Sequence, residues 1–434
     1  MAESVATDTS PVAERADCCI VGGGPGGACL GLLLARAGVR VLVLEERRDL
    51  ARQFRGETVH PPTLALLEDL GLLDRVLAHA RSRSDRLHGY APGAPPVPLD
   101  GLVPGTRHPY LTNVPQEALL GLLHAAIAAE PGGRVLLGAR AEGLVEDGDR
   151  VAGVRYRLDG VARAVAAPLT VAADGRHTRL RRLAGLAFDE ADGGIDMIWF
   201  TLPRLADDPY RGGPRLANGR ILQVLDRGGR WQCGYVVPRG GWAALRARGI
   251  PALRADLAAL VPEFAARLAT EPSLARPAVL PGALGRAPRW WRPGFLLLGD
   301  AAHTMSPIGG VGLLMAVADA IVAANVLVPA FDRGTVTPAD LAAIQRRRAL
   351  PVALVQGVQA LIGCRMSRPG LLVAGVAPGV APPPSAEELA LAEATAARLR
   401  RSGRALARSF VFGVLPPRLA PAVRARVARK AEAG

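Results

Sequence analysis

The amino-acid sequence predicts an α/β protein with a doubly wound parallel sheet, an inserted antiparallel sheet and a helical C-terminal region. Short apolar runs at 17–21 and 39–44 enclose an apolar helical segment that stops at Gly38. Two buried strands joined by one helix in so short a stretch are typical of a parallel βαβ unit. From about residue 195 the pattern changes to alternating strands, with a hairpin turn at 226–229.

The remaining elements follow from hydrophobic periodicity and from helix-start signals. Thr337-Pro338 offers an N-cap and a first-turn proline, and Ser385-x-x-Glu388 is a capping box. Both signals predict helices in the last hundred residues. Periodicity predicts helices at 64–77 and 116–129, strands at 134–137, 169–173 and 295–298, and a Pro/Gly-rich loop at 91–109.

Charge and cysteine content bear on several classes of protein. The net charge is +14, carried almost wholly by arginine because Lys430 is the only lysine. Such a field attracts nucleic acid or anionic lipid. The arginines are scattered, however, and aromatic residues make up only 4%, too few to stack bases, so compositional bias is the preferred interpretation. The five cysteines and seven histidines are dispersed, which argues against a disulfide framework and predicts no metal site.

The longest apolar segment, 309–331, has the length of a membrane span but contains Asp319 and Asn325. An aspartate near the centre of a span costs about 2.5–3.5 kcal/mol on insertion scales. The segment is therefore interpreted as a buried helix of a protein without a transmembrane segment. The N-terminus is polar and acidic, unlike a secretory signal, and the predicted location is cytoplasmic.

A glycine-rich motif follows the first predicted strand. Gly22-Gly23-Gly24-Pro25-Gly26-Gly27 fits G-x-G-x-x-G, in which the glycines allow a tight turn, close approach to a pyrophosphate and close packing of helix on strand. The following helix N-terminus presents free N–H groups to phosphates. Glu45 closes the second strand, where an acid binds ribose hydroxyls. A glycine-rich turn alone is weak evidence, but in this context it predicts dinucleotide binding.

Two further motifs follow predicted strands. Gly299-Asp300-Ala301-Ala302-His303 is succeeded by Pro307 and by Gly309-Gly310-Val311-Gly312 at the start of the apolar helix. A short acid at a strand end can hold a sugar hydroxyl, and a glycine-rich helix start can meet a negatively charged ring edge. The third motif is Asp174-Gly175-Arg176-His177-Thr178-Arg179-Leu180-Arg181. Each motif alone could be an ordinary turn, but all three in this order are hard to explain by chance.

With these motifs the chain resembles the group A flavin-dependent monooxygenases, the aromatic hydroxylase family typified by para-hydroxybenzoate hydroxylase. The resemblance runs from about residue 15 to 330 and implies a Rossmann-like, glutathione-reductase-type FAD-binding domain. In the family the glycine motif and the acid after it hold the ADP half of FAD. The FAD contacts implied here are Gly22, Gly24, Pro25, Gly26, Gly27, Glu45, Arg55, Gln116, Asp174, Asp300, Pro307, Gly310, Gly312 and Leu313.

The resemblance and the change of period together divide the chain into four parts. An antiparallel substrate-binding sheet interrupts the FAD-binding domain, and residues 81–110 are expected to contribute to the substrate side. The expected parts are a disordered leader at 1–15, an FAD-binding domain at 16–185 and 286–331, a substrate-binding β-sheet domain at 186–285, and a helical region at 332–434.

The family's chemistry implies a function and also exposes one departure. The expected enzyme hydroxylates or epoxidises a small hydrophobic substrate, such as a secondary metabolite, with NADH or NADPH and molecular oxygen through a flavin hydroperoxide. No protein base is obligatory, so no catalytic residue is assigned. His60 and Tyr235 are weak candidates for touching substrate, and Trp231 and Trp242 could stack on it, although core roles remain open for all four. Leu314 stands where the family has asparagine, which predicts altered positioning of the flavin ring.

Two other classes of function remain open. The first keeps FAD for dehydrogenation, halogenation or a redox-neutral cyclisation with flavin as scaffold. The halogenase motif G-W-x-W-x-I-P is missing from the sequence, which lowers the case for halogenation. The second is a basic surface-binding protein, supported by the arginines from Arg398 to Arg429, which could lie on an anionic membrane. A solvated packing helix is the competing interpretation, and no nucleic-acid partner is predicted.

Overall fold

The structure is a computed structural model. It describes residues 14–50, 57–87, 97–100, 102, 106–208, 212–217, 220–366, 408, 411 and 413–429. Two predictions, the flavin contact at Arg55 and the capping box at Ser385, lie outside the described residues. The predicted leader 1–15 extends too far, because Glu14 and Arg15 form a strand that pairs in parallel with Val165 and Ala166.

A six-stranded sheet forms the centre of the nucleotide-binding part, in the order β21-β22-β13-β2-β3-β9. All its pairings are parallel except that of β21 with β22. Apolar side chains point to both faces because both faces are covered. Its strands are β2 (Cys18–Val21), β3 (Val41–Glu45), β9 (Gly133–Leu137), β13 (Leu169–Ala172), β21 (Trp291–Arg292) and β22 (Phe295–Leu297).

The two faces of this sheet pack on different layers. Cys18 and Ile20 belong to a core cluster shared with helices α1 (Pro25–Arg36), α4 (Gln116–Ala128) and α9 (Gly312–Asp332). Cys19 and Val21, which alternate with them, belong to a second cluster. That second cluster includes residues of a four-stranded sheet that the sequence did not predict: β1 (Glu14–Arg15), β10 (Arg140–Asp147), β11 (Arg150–Leu158) and β12 (Val161–Ala166).

A separate antiparallel sheet confirms the inserted sheet predicted from the sequence. Its order is β16-β17-β18-β15-β19, and the predicted hairpin at 226–229 joins β17 to β18. Three helices that were not predicted, α6, α7 and α8, cover one face of it. The elements are β15 (Ile195–Pro203), β16 (Gly213–Ala217), β17 (Arg220–Asp226), β18 (Arg230–Pro238), β19 (Ala278–Pro281), α6 (Gly241–Arg248), α7 (Ile250–Leu260) and α8 (Ala265–Thr270).

The apolar segment forms a core helix, as predicted. One helical stretch, Ile308–Asp332, is long and apolar enough to cross a membrane, but 83% of its most apolar window is buried inside the protein. The C-terminal elements α10 (Pro338–Met366) and α11 (Pro421–Arg429) pack beside it. The remaining elements are β4 (Thr58–Val59), α2 (Pro61–Asp69), α3 (Leu73–Leu77), β5 (Ser82–Ser84), β6 (Arg86–Leu87), β7 (Val97–Pro98), β8 (Leu111–Asn113), α5 (Arg179–Leu183), β14 (Asp189–Ala191), β20 (Leu284–Arg286) and β23 (His303–Thr304).

Candidate active site

The glycine-rich loop between β2 and α1 can be built only with glycine at two positions. Gly22 has φ +103°, and a Cβ atom there would overlap the carbonyl oxygen of Ala173 at the end of β13. A Cβ atom on Gly27 would overlap the carbonyl oxygen of Gly22. The missing side chains therefore bring α1, β2 and the segment after β13 together at the carboxyl edge of the parallel sheet.

Two buried side chains hold the backbone of Gly23 between them. Glu45 Oε2 accepts a hydrogen bond from Gly23 N at 2.9 Å, and its Oε1 accepts one from Arg47 N at 3.1 Å. His124 Nε2 lies 2.8 Å from the carbonyl oxygen of Gly23. Each carboxylate oxygen has a second lone pair, so Glu45 can hold the loop and still accept from a ribose hydroxyl. His124 reaches this loop from α4, and no sequence motif pointed to it.

The start of α1 fits a phosphate group. Pro25 occupies the first turn, where its missing N–H costs nothing, and the first turn contains no acidic residue. Gly26 lets this end pack closely, since a Cβ atom there would lie 2.8 Å from Leu298 Cδ2. Free N–H groups and the positive end of the helix dipole thus face the position expected for the pyrophosphate of FAD.

The motif at 174–181, called the D-G motif, lies beside the glycine loop. It is hydrogen-bonded to the motif at 299–303, called the G-D motif. Arg181 Nη1 donates a 3.0 Å hydrogen bond to the carbonyl oxygen of Ala301, and its guanidinium lies 3.8 Å from the ring centre of Phe188. Burial raises the pKa of Asp174 to about 6, against the opposing effect of its hydrogen bond with Thr178. Asp174 Oδ1 is buried without a hydrogen-bond partner among the described residues, so it can take a hydroxyl group of the cofactor.

The turn that contains Asp300 is held by a buried carboxylate. Asp319 Oδ2 accepts hydrogen bonds from Gly299 N at 3.0 Å and from His303 Nε2 at 2.6 Å. Asp319 Oδ1 accepts one from Arg348 Nε at 2.6 Å. His303 therefore fixes this turn, and Asp300 lies on it partly exposed, directly after β22.

The loop between Pro307 and α9 has room for a ring. Gly309 and Gly310 have φ +79° and +62° and are exposed. A Cβ atom on Gly310 or on Gly312 would meet no atom within 4 Å. The side chain of Leu313 is buried in the core, so only its backbone can contact a cofactor. These observations fit the resemblance, which places the flavin ring at this helix start.

His60 lies next to the same loop. Burial lowers the pKa of His60 to about 4, and the backbone of Thr58 and of Gly309 lies within hydrogen-bonding reach of its ring. The ring is therefore neutral at neutral pH. Its Nδ1 is buried without a partner among the described residues. His60 is thus close to the predicted ring position, although its contacts also suit a structural role.

An ion pair joins this part of the molecule to the antiparallel sheet. Arg227 Nη1, from the β17–β18 hairpin, lies 2.7 Å from Glu57 Oε2. Burial raises the pKa of Glu57, and the positive charge of Arg227 and a backbone hydrogen bond with Gln116 oppose that shift. Gln116 is itself buried at the start of α4. The predicted FAD contact at Gln116 therefore lies close to the hairpin rather than inside the glycine loop.

Tyr235, a weak candidate for touching substrate, is buried on the helix-covered side of the antiparallel sheet. The helices that cover it are α6, α7 and α8, and burial raises the pKa of Tyr235 to about 12. Trp231 also lies in that core, where it stacks with Phe264 and its Nε1 donates to Asp208 at 2.7 Å. Trp242 packs at the margin of the same cluster.

The opposite face of this sheet meets the loop between Pro307 and α9, which is called the cofactor loop below. Met197, Trp199, Ile221 and Val236 cluster with Ile308, which directly precedes Gly309. Adjacent strand residues alternate between faces, so this is the face away from Tyr235. A Cβ atom on Gly234 would lie 2.8 Å from the ring of Trp199, so the indole ring packs against the neighbouring strand at Gly234. This set, Met197, Trp199, Ile221, Val236 and Ile308, is called the apolar wall below.

Leu314 packs on the C-terminal part of the chain. It is 3% exposed and lines a cavity with Thr63, Pro416 and Pro417. A leucine suits this position because the neighbouring groups are largely apolar. The family's asparagine would bring its amide into the same apolar surroundings, with the hydroxyl of Thr63 nearby.

The basic C-terminal helix is docked on the core. Val423 and Val427 of α11 are buried. Arg424 pairs with Asp69 at 2.6 Å, and Arg426 pairs with Asp332 at 2.7 Å. Within the described part of the C-terminus these side chains serve packing, as the competing interpretation of the sequence predicted.

Comparisons with known proteins identify the family of this chain. The sequence model of a family described as an FAD binding domain matches residues 15–356. The 6-methylpretetramide 4-monooxygenase of Streptomyces rimosus is 34% identical over 375 residues, which cover 84% of this chain and 88% of the relative.

Solved structures show the same fold. A p-nitrophenol 4-monooxygenase from Pseudomonas putida superimposes with a TM-score of 0.71 at 22% identity, over 92% of this chain and 98% of that chain. An anhydrotetracycline hydroxylase from Streptomyces rimosus gives a TM-score of 0.70 at 23% identity, over 93% and 77% of the two chains. The predicted fold class and FAD cofactor are confirmed. The chain belongs to the FAD-binding domain family and is an FAD-dependent monooxygenase of the group A, aromatic hydroxylase type.

Proposed function

We propose that this monooxygenase oxidises a hydrophobic aromatic secondary metabolite of the 6-methylpretetramide kind, using NADH or NADPH and molecular oxygen. The apolar wall carries the proposal. It places two large side chains, Met197 and Trp199, and two branched ones opposite the loop at which the flavin ring is expected. A surface of this kind binds an aromatic ring by burying its faces.

The residues of the chain have separate tasks in this proposal. Gly22, Gly24, Gly27 and the start of α1 bind the pyrophosphate, Glu45 binds a ribose, and Asp174 and Asp300 bind hydroxyl groups of the cofactor. Gly310, Gly312 and the backbone of Leu313 bind the ring edge. Bound FAD supplies the redox chemistry, taking electrons from the nicotinamide and activating oxygen.

The protein's own part in the reaction is to orient the substrate and exclude water. The apolar wall covers one side of the expected ring position, and the Glu57–Arg227 ion pair joins the hairpin of the antiparallel sheet to the segment before β4. No catalytic acid or base is assigned. His60 is kept as a candidate because it is neutral at pH 7 and lies next to Gly309.

The domain boundaries at 185/186, 285/286 and 331/332 and the cytoplasmic location belong to the same proposal. The charge of Arg81 acts on Glu57, which pairs with Arg227 of the hairpin, and this supports a role of residues 81–110 on the substrate side. The proposal expects neither a nucleic-acid partner nor a membrane partner.

Substrate turnover tests the proposal. Purified enzyme is incubated with NADH or NADPH and labelled dioxygen, with 6-methylpretetramide as the first probe and p-nitrophenol as a small phenol for comparison. We expect faster reductant oxidation with 6-methylpretetramide and one labelled oxygen atom in its product. If the protein is yellow but neither probe causes it to oxidise NADH or NADPH, the result would favour FAD chemistry of another type, which is the alternative left open by the sequence.

A further inference from the structure

Gln359 of α10 holds the segment that leads into the cofactor loop. Its Oε1 accepts a hydrogen bond from Ser306 N at 3.1 Å. Its Nε2 donates to the carbonyl oxygens of Ser306 at 2.9 Å and of Ile308 at 2.7 Å. The side chain is 0% exposed. One buried amide thus satisfies three backbone groups that would otherwise be buried without hydrogen bonds.

The position of Ile308 affects both the cofactor loop and the apolar wall. Its carbonyl is held by Gln359, while its side chain is part of the apolar wall. Gly309 and Gly310, which follow it, have φ of +79° and +62° and lack side chains to hold the loop by packing. The orientation of the loop, and with it the N–H groups at the start of α9, therefore depends on how Ile308 is anchored.

The same helix also reaches the neighbouring segments. Gln356 Nε2 donates to the carbonyl oxygens of Thr304 at 3.0 Å and of Gly285 at 2.8 Å. One turn beyond Gln359, Ile362 packs against the apolar wall, and Gly363 lies against the backbone of Gly193. Residues at 356, 359, 362 and 363 recur at helical spacing, so one face of α10 spans the cofactor loop and the antiparallel sheet.

We propose that Gln359 is a positioning residue, which fixes the Ser306–Ile308 segment so that the start of α9 meets the flavin ring and Ile308 completes the apolar wall. It acts on the cofactor through the loop and not by touching it. The inference rests on the part of the proposed function that places the ring at Gly310 and Gly312. It does not depend on which substrate the enzyme oxidises.

The test compares Gln359→Met with Gln345→Met in the FAD-loaded enzyme. Gln345 is a matched control because it lies on the same helix and bonds two backbone groups, Trp290 N at 3.1 Å and the carbonyl oxygen of Pro288 at 2.8 Å, on another loop. The readouts are FAD content, the melting temperature, the visible circular dichroism of bound FAD and its two-electron midpoint potential measured against a reference dye. None of them needs substrate or NAD(P)H, so failure of the substrate proposal leaves them unaffected.

We expect both variants to keep FAD, and Gln359→Met to lose more thermal stability, because it leaves three buried backbone groups unpaired whereas Gln345 is only partly buried. Only Gln359→Met should change the flavin dichroism and lower the midpoint potential, because the helix start then holds the reduced, more negative cofactor less well. A tenfold loss in relative affinity for reduced FAD corresponds to about 30 mV. Gln359→Glu keeps the acceptor for Ser306 N but loses both donors, so we expect a shift in the same direction.

Three outcomes would overturn the inference. The first is a Gln359→Met protein with wild-type dichroism and midpoint potential. The second is an equal shift in Gln345→Met, which would make the effect a general property of α10. The third is failure of both Gln359 variants to fold while Gln345→Met folds, which would make Gln359 a purely structural residue.

Discussion

Arg348 Nε donates a 2.6 Å hydrogen bond to Asp319 Oδ1, and neither side chain is more than 2% exposed. The pair joins α10 to α9, and the same carboxylate reaches His303 and the turn containing Asp300. Burial alone would raise the pKa of Asp319, but the charges of His303 and Arg348 outweigh it and lower that pKa. The carboxylate is therefore ionised, and it holds the turn that contains Asp300 against α9.

Removing this charge should destabilise the protein strongly. Asp319→Asn leaves the guanidinium of Arg348 buried without a counter-charge, which costs about 3–5 kcal/mol. The free energy of unfolding, measured by chemical denaturation, checks this. Asp332→Asn is the control, because Asp332 pairs with Arg426 while 55% exposed and such a pair is worth about 0–1 kcal/mol. Equal losses in the two variants would contradict the prediction.

The βαβ unit and the three motifs could be predicted from the sequence because their signals are local. Apolar runs, glycines and a closing acid lie within a few residues of the elements that they form. Asp319 shows where this fails. Its partners His303 and Arg348 are 16 and 29 residues away, and no spacing rule relates a buried carboxylate to a histidine on a short strand and an arginine on another helix.

The position of Tyr235 shows a similar limit of local sequence patterns. Alternation along β18 shows that Tyr235 and Val236 face opposite ways, but it does not show which face meets the cofactor. That depends on α6, α7 and α8, whose signals were missed among the alternating strands. Because these helices cover the face of Tyr235, we expect the substrate to bind on the opposite face, which carries Trp199 and Val236.

A side chain at Gly24 should prevent FAD binding without preventing folding. Gly24 has an extended backbone, with φ −71° and ψ −178°, which any residue can adopt. Gly24→Val therefore causes no backbone strain but projects a side chain into the expected pyrophosphate position. We expect a folded protein without flavin absorbance. Gly229→Val, in open space at the hairpin, is the control and should stay yellow. Full flavin absorbance in Gly24→Val would place the cofactor elsewhere.

His60 should make the protein less stable in mild acid. The pKa of His60 is about 4 in the folded protein, below its usual value of 6.5. The unfolded chain takes up a proton as the pH falls below 6.5, whereas the folded protein does so only near 4. The free energy of unfolding that depends on the neutral form of His60 is therefore complete above pH 6.5. It falls by up to about 3 kcal/mol as the pH falls toward 4.

Denaturation of His60→Gln at pH 7 and at pH 4.5 checks this prediction. The variant cannot titrate at this position, so it should lose less stability than the wild type between the two pH values. His79→Gln, at an exposed histidine, should follow the wild type. Parallel curves for all three proteins would show that His60 titrates normally in the folded state.

The C-terminal arginines should not bind membranes. Arg424 and Arg426 are paired with Asp69 and Asp332, and the apolar side of α11 is buried. We expect no more sedimentation with phosphatidylserine vesicles than with neutral vesicles at physiological salt. Val427→Asp should undock the helix and increase binding to the anionic vesicles. Salt-sensitive binding of the wild type would restore the surface-binding hypothesis.

Leu314→Asn should keep FAD but change both stability and the rate of flavin reduction. Leu314 is buried in an apolar cavity, so a polar amide there loses packing and needs hydrogen bonds, at a cost of about 2–5 kcal/mol. Leu314→Met conserves volume and should cost less than about 1.5 kcal/mol. Chemical denaturation of the two variants and the wild type measures these losses.

In Leu314→Asn, a hydrogen bond from the new amide to Thr63 can offset part of the loss of stability. Thr63 Oγ1 lines the same cavity and is buried without a hydrogen-bond partner among the described residues. If the new amide bonds to it, adding Thr63→Val to Leu314→Asn should cost more than Thr63→Val alone. One hydrogen bond near the helix start is worth about 0.5–1.5 kcal/mol, enough to change the rate of reduction by NAD(P)H several-fold. Identical stopped-flow reduction in wild type, Leu314→Asn and Leu314→Met would show that the leucine has no influence on the flavin.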